Sequence, residues 1–249
     1  MNAPVAPTPP RRALVTGASG GIGSAIARTL AARGYHVLVH AHRHAEAARA
    51  LVAEITQNGG SAEPLVFDVT DCAACQSALT QALQAGPVQV LVHNAGAHDD
   101  AVLAGMQPEQ WQRVIDVNLN GFYNVAQPLM LPMLRTRWGR VIAITSVAGQ
   151  KGNRGQVNYA AAKSALHGAI KALALECATR GITANAVAPG LIATEMSQAA
   201  AFDAATIARL VPMQRAGQPQ EVADLVAFLA SEQAGYISGQ IIAINGGMH

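Results

Sequence analysis

The sequence predicts an α/β fold: a single domain on one doubly wound parallel sheet of about seven strands, with helices on both faces. Three observations predict it. Short apolar runs alternate with longer, alanine-rich, helix-spaced runs, the pattern of strand–helix–strand crossovers. Gly17, Gly20, Gly21 and Gly23 cluster between the first such strand and the first helix. Of the 249 residues 51% are apolar and only 13% charged, enough for one large buried core.

In chain order, residues 1–10 hold four prolines and no apolar run, and read as a disordered tail before a single domain spanning 11–249. Residues 13–16 form a short apolar strand, followed by the glycine turn and a helix over 24–33 that stops at Gly34. Residues 35–40 are the second strand, and helix 45–58 ends at Gly59-Gly60. A third strand over 62–67 runs into Asp68, and Asp71 or Thr70 caps helix 72–85. The fourth strand, 88–93, delivers Asn94-Ala95-Gly96. Helix 108–126 carries Asn118 near its middle, and strand 139–145 delivers Ser146. Helix 157–179 ends at Arg180-Gly181, and strand 182–188 leads into Pro189-Gly190. Residues 191–215, small and methionine-bearing, read as a mobile lid. Helix 219–230 and strand 240–245 close the chain, with no domain boundary, repeat or linker.

The glycine turn carries chemistry because of its context. Glycines let the backbone turn tightly and approach a pyrophosphate, whose charge the helix N-terminus meets. The spacing of Gly17, Gly21 and Gly23 is Gly-x-x-x-Gly-x-Gly, and strand–turn–helix makes it a dinucleotide site on a Rossmann-like sheet. An acid at the end of the second strand would bind the ribose 2′-hydroxyl of NAD; a base there suits a 2′-phosphate. Here Arg43 follows and no acid comes before Glu46, which argues for NADP(H). Asp68 can accept a hydrogen bond from the adenine amine. His40, His42 and His44 alternate, but no carboxylate or cysteine completes a metal set, and a polar strand end beside a phosphate site is the favoured reading.

Tyr159 and Lys163 lie four residues apart in a helical run, hence on one face. A lysine beside the phenol favours phenolate, so the tyrosine can serve as a general acid nearer neutral pH. Taken alone, the pair reads first as a surface tyrosine stacked on a lysine stem. Strand ends 1, 3, 4 and 5 decide between them, because they bring Gly17, Asp68, Asn94 and Ser146 to the rim where this helix starts.

Other classes are disfavoured. A net charge of +2 without a basic stripe argues against nucleic acid. No apolar stretch is long enough for a membrane span, and the start lacks a signal-peptide pattern. Cys72-x-x-Cys75 has no second pair at zinc spacing, so the two read as helix-start residues; three cysteines without a disulfide framework fit the cytoplasm.

Thr16 to Gly23, Asn94-Ala95-Gly96, Asn118, Ser146, Tyr159-x-x-x-Lys163 and Pro189-Gly190 together resemble the short-chain dehydrogenase/reductase family over residues 11–249. The 152–159 stretch, Arg180 to Thr183, and Tyr236-Ile-Ser-Gly239 leading to residues 244–248 look most like its 3-oxoacyl-carrier-protein reductases. The resemblance implies Tyr159 as proton donor and Lys163 as the group that lowers its pKa and holds the nicotinamide ribose. It implies Ser146 on the substrate carbonyl and Asn118 anchoring a water that links Lys163 to solvent. It extends the coenzyme set to Ser19, Ile22, Val69, Ala95, Gly96, Pro189, Gly190, Ile192 and Thr194.

The resemblance further implies an acyl-carrier protein as partner, docked by Arg137 and Arg180 beside the site entrance, unless these are only solvated charges near helix ends. It also implies a homotetramer using helices 108–135 and 157–179 at one interface and the C-terminal strand at another. Two departures stand out: His93 where the family has asparagine, its ring still able to donate one hydrogen bond, and Gly20 where many NADP-dependent relatives carry arginine. The stretch from His98 to Met106 resembles a variant branch from specialised pathways such as aryl polyene pigments. The expected activity is NADPH-dependent reduction of a 3-oxoacyl thioester. The alternatives are a broad-range carbonyl reductase or alcohol dehydrogenase on free ketones, and a non-catalytic NADP-binding protein.

Overall fold

The computed structural model describes residues 9–194 and 203–248. Seven parallel strands form one sheet in the order β3-β2-β1-β4-β5-β6-β7. In the chain these are β1 (Arg12–Val15), β2 (His36–Ala41), β3 (Ser61–Val66), β4 (Val88–His93), β5 (Gly139–Ile144), β6 (Ile182–Pro189) and β7 (Ile241–Ile244). The helices are α1 (Gly21–Ala32), α2 (Ala45–Gln57), α3 (Cys72–Leu83), α4 (Pro108–Ile115), α5 (Gly121–Thr136), the single-turn α6 (Ala148–Lys151), α7 (Val157–Cys177), α8 (Ala204–Leu210) and α9 (Pro219–Leu229).

The period of two along each strand sorts the core into two layers. Val15, Val39, Val92 and Ile144 point to one face and pack with α1, α2 and α9; Leu14, Leu38, Leu91 and Val141 point to the other and pack with α3, α5 and α7. Because both faces are covered, the strands read as nearly continuous apolar runs. At the β3 edge exposure rises, and Pro64 sits where a missing N–H disturbs no inner ladder. The winding reverses between β1 and β4, which opens a crevice above their C-terminal ends.

The structure departs from the expected elements in two places. The predicted helix 108–126 is two helices joined by a π turn at Asp116–Asn120, and α5 runs on to Thr136 through Pro128 and Pro132. Burial of Val125, Leu129 and Met133 outweighs the proline penalty, because tertiary packing rather than propensity holds most helices. Helix α1 also starts three residues early, at Gly21.

In the lid region, Ala193 donates to the Gly217 carbonyl at 2.8 Å and Gly217 to that of Leu191 at 2.9 Å, so the two flanks of the segment are tied together. Its middle, 195–202, and the first eight residues of the tail lie outside the described residues. Among the described residues no helix is long and apolar enough to cross a membrane.

Candidate active site

The glycine turn is held by the turn after β4. Asn94 Nδ2 donates to the carbonyls of Thr16 (2.9 Å) and Gly17 (3.0 Å), while Thr16 Oγ1 accepts the amides of Asn94 (3.0 Å) and Ala95 (2.9 Å). The approach is close enough to require glycine. A Cβ on Gly23 would stand 2.3 Å from the Gly17 oxygen, and Gly17 itself has φ +62°. Helix α1 has no side-chain cap at Gly20 and no acid in its first turn, so its first amides are left to an incoming anion. Ser19 and Ile22 are half-buried in this turn, and Gly21 faces Thr194, whose methyl a Cβ on Gly21 would meet at 3.4 Å.

Asp68 sits beside the ends of β2 and β3. Its Oδ1 accepts from Thr70 N (2.9 Å) and Oγ1 (2.8 Å), and Oδ2 lies 3.5 Å from His42 Nε2. Partial burial raises its pKa, but the Thr70 bonds and the nearby His42 and Arg43 outweigh that and hold the carboxylate below its usual range. Arg43 is exposed next to it. Val69 is buried, and its carbonyl accepts Asn124 Nδ2 at 2.9 Å. The Pro189 carbonyl receives the Val147 amide at 2.8 Å, Gly190 donates to the Ile244 carbonyl at the end of β7 (2.9 Å), and Ile192 is buried just beyond. Among the described residues no three His, Cys, Asp or Glu side chains gather as a metal set.

The four residues expected to be catalytic, Asn118, Ser146, Tyr159 and Lys163, gather around the end of β5. Lys163 is 3% exposed, and its Nζ donates to the Ile144 carbonyl at 3.0 Å. Gly96 separates it from Asn118: a Cβ there would lie 2.8 Å from Asn118 Oδ1 and 3.2 Å from Lys163 Nζ. The Asn118 amide donates to Ala97 (2.7 Å) and Val114 (2.8 Å), while its buried Oδ1 has no partner among the described residues. The π turn places it so, a local widening typical of functional positions.

Tyr159 lies in the first turn of α7, with its amide bonded to Asn158 Oδ1 at 2.8 Å. Its pKa is raised, first by burial and further by Asp100, with the Ser146 hydroxyl pulling it down. The ammonium is 5.6 Å from the phenol ring centre and bonded to a carbonyl, and burial pushes its own pKa down to about 8. Desolvation acts on both groups, raising the pKa of the phenol and lowering that of the ammonium.

One further correction concerns placement. Arg137, left-handed at φ 53°, directly precedes β5, and Arg180 directly precedes β6. Both therefore lie at the opposite ends of these strands from Ser146, about 20 Å away for a six-residue strand, not beside this chain's own site. His93 is fully buried, with Nδ1 3.4 Å from Thr16 Oγ1. That oxygen already accepts two amides, so its proton goes to Nδ1, and the Nε2–H remains the neutral ring's one donor, as expected. Burial and the nearby Lys163 push the His93 pKa down to about 3.

Sequence reasoning missed several residues. Thr16 organises the turn after β4; its position directly before Gly17 was the available signal. Asp100 accepts Gln156 Nε2 at 2.8 Å and sits 3.2 Å from His98, whose ring meets Tyr159 edge-on at 6.5 Å. His40 is buried against the glycine turn rather than being only a polar strand end.

The residues present fit a bound nicotinamide dinucleotide. A glycine cradle that a Cβ would fill faces an uncapped helix start, and a buried lysine and an orphaned amide oxygen flank Gly96.

Comparison with known proteins agrees. A family model described as enoyl-(acyl carrier protein) reductase matches residues 17–249. The chain is 46% identical over 239 residues to the 3-oxoacyl-acyl-carrier-protein reductase of Escherichia coli strain K12, covering 95% of this chain and 96% of that protein. It is 45% identical over 238 residues to the reductase of the same name from Aggregatibacter actinomycetemcomitans, covering 94% and 98%. To that of Staphylococcus aureus strain Mu50 it is 43% identical over 241 residues, covering 96% and 98%. With this sheet, this glycine turn and these likenesses, the chain belongs to the short-chain dehydrogenase/reductase family and is an oxidoreductase acting on a CH–OH/C=O pair.

Proposed function

We propose that the protein reduces a 3-oxoacyl group, carried as a thioester on an acyl-carrier protein, to the 3-hydroxyacyl group with NADPH. The observation that carries this reading is the Tyr159 phenol facing the Ser146 hydroxyl over the buried Lys163. Two hydroxyls directed at one point can hold a single carbonyl oxygen as negative charge develops on it. When bound, the coenzyme supplies hydride to the carbonyl carbon. Tyr159, protonated at neutral pH, donates its proton to the oxygen. Ser146 orients the oxygen. Lys163, with its pKa near 8, holds a proton in reserve for the phenolate, and Asn118 Oδ1 lies across Gly96 to position that transfer.

Coenzyme choice rests on Arg43, with His42 beside it and no acid at the end of β2 to compete for the 2′-phosphate. The carrier-protein substrate rests on the named relatives. Because Arg137 and Arg180 lie far from this chain's own rim, carrier docking through them requires an assembly in which they face another subunit's site. A homotetramer meets that need, and apolar side chains support it: Tyr123 (63% exposed) and Leu131 (58%) on α5, Leu175 (83%) on α7, and Tyr236 (104%) ahead of β7.

The test compares turnover on a carrier-bound 3-oxoacyl thioester with turnover on small free ketones. The reading expects a large preference for the carrier; equal rates would sink it in favour of a general carbonyl reductase. Tyr159→Phe should abolish reduction while NADPH still binds.

A further inference from the structure

The geometry points to His40 as a positioning residue of the coenzyme turn, acting through one ring tautomer. The inference rests on the reading of that turn as a dinucleotide site. His40 lies near the end of β2 and is 1% exposed. Its Nδ1 stands 3.1 Å from the Gly17 amide, which can only donate, so Nδ1 accepts and carries no proton. The ring proton is therefore on Nε2, 3.0 Å from the Phe67 carbonyl, which can only accept. The ring also lies tilted on the Phe67 ring, centroids 4.1 Å apart, and the His40 carbonyl accepts the Ala18 amide at 2.8 Å.

One residue thus joins three strand ends: Gly17 after β1, its own place on β2, and Phe67 after β3, which Asp68 follows. Gly17 is the left-handed residue on which the turn pivots, and His40 supplies the acceptor its inward amide requires. An aliphatic residue would fill the space and leave that amide unpaired. Burial pushes the His40 pKa down to about 4, so the acceptor lone pair persists at neutral pH.

Two substitutions separate this role from simple space filling. His40→Asn places an amide oxygen near the Nδ1 position and keeps an acceptor for Gly17. His40→Gln extends its amide to the Nε2 position and keeps the contact with Phe67, but not the acceptor. Titrating the full-length variants with NADPH, without substrate, should show the Gln variant binding at least about fivefold more weakly than wild type, the loss of one neutral hydrogen bond. The Asn variant should stay within about twofold. Equal affinities for the two variants would overturn the inference alone, whereas a wild-type chain that binds neither NADPH nor NADH would overturn the coenzyme reading and this inference with it. Should either variant fail to fold, the side-chain nitrogen shifts of His40 in the wild-type protein decide. The Nε2–H tautomer is required, and an Nδ1–H ring would refute it.

Discussion

Replacing Lys163 with methionine should make the protein more stable and inactive. The lysine is 3% exposed, and burial lowers its pKa from 10.5 to about 8. At about 1.4 kcal/mol per pKa unit, keeping the ammonium inside the fold at pH 7 costs about 3 kcal/mol. Methionine fills much of the same volume without charge, but gives up the 3.0 Å charge-assisted bond to the Ile144 carbonyl, worth about 2 kcal/mol. The expected net gain is about 1 kcal/mol, or about 3 °C in melting temperature for a chain of this size. The pH dependence gives the argument a sign. Because the folded pKa lies below the unfolded one, the unfolded chain binds more protons between about pH 8 and 10.5, and wild-type stability rises through that window. The Lys163→Met chain lacks this slope, so its advantage is full at pH 7 and shrinks toward pH 10. Calorimetric unfolding of both proteins at pH 7 and pH 10, alongside NADPH-dependent turnover, tests this. A variant that melts below wild type at pH 7, or a gap unchanged at pH 10, would refute the reasoning.

Other outcomes follow from the same geometry. Gly23→Ala drives a Cβ to within 2.3 Å of the Gly17 oxygen and should lose at least about 2 kcal/mol of stability along with coenzyme binding; Gly20→Ala meets nothing within 4 Å and should be nearly silent, as paired melting curves would show. Arg43→Leu should weaken NADPH about tenfold and leave NADH unchanged in parallel titrations, since it removes only a 2′-phosphate partner. His93→Asn keeps an acceptor for the Thr16 hydroxyl and should bind coenzyme within about twofold of wild type. His93→Leu, which leaves that hydroxyl without an acceptor, should bind about fivefold more weakly.

Much of this protein is local in origin and so was legible in its sequence. Short, nearly continuous apolar runs alternating with helix-spaced alanines determine the parallel sheet, because strands buried on both faces need apolar residues at every position. The Gly17 to Gly23 turn, Ser146 and the Tyr159–Lys163 pair carry their meaning in spacing together with the order of strands and helices around them. What tertiary structure alone decided concerns burial and long-range approach. The π turn that presents Asn118 depends on the Ala97 and Val114 carbonyls meeting one amide. The titration of Tyr159 depends on how much solvent the fold removes, and burial raises its pKa to an extent no spacing along the chain reveals. Arg137 and Arg180 sit far from the site because a parallel strand separates its start from its end, a separation that counting along the chain does not show. His40 became part of the coenzyme turn only when three distant segments met at one rim, since a hydrogen bond between residues 17 and 40 has no signature in either segment alone.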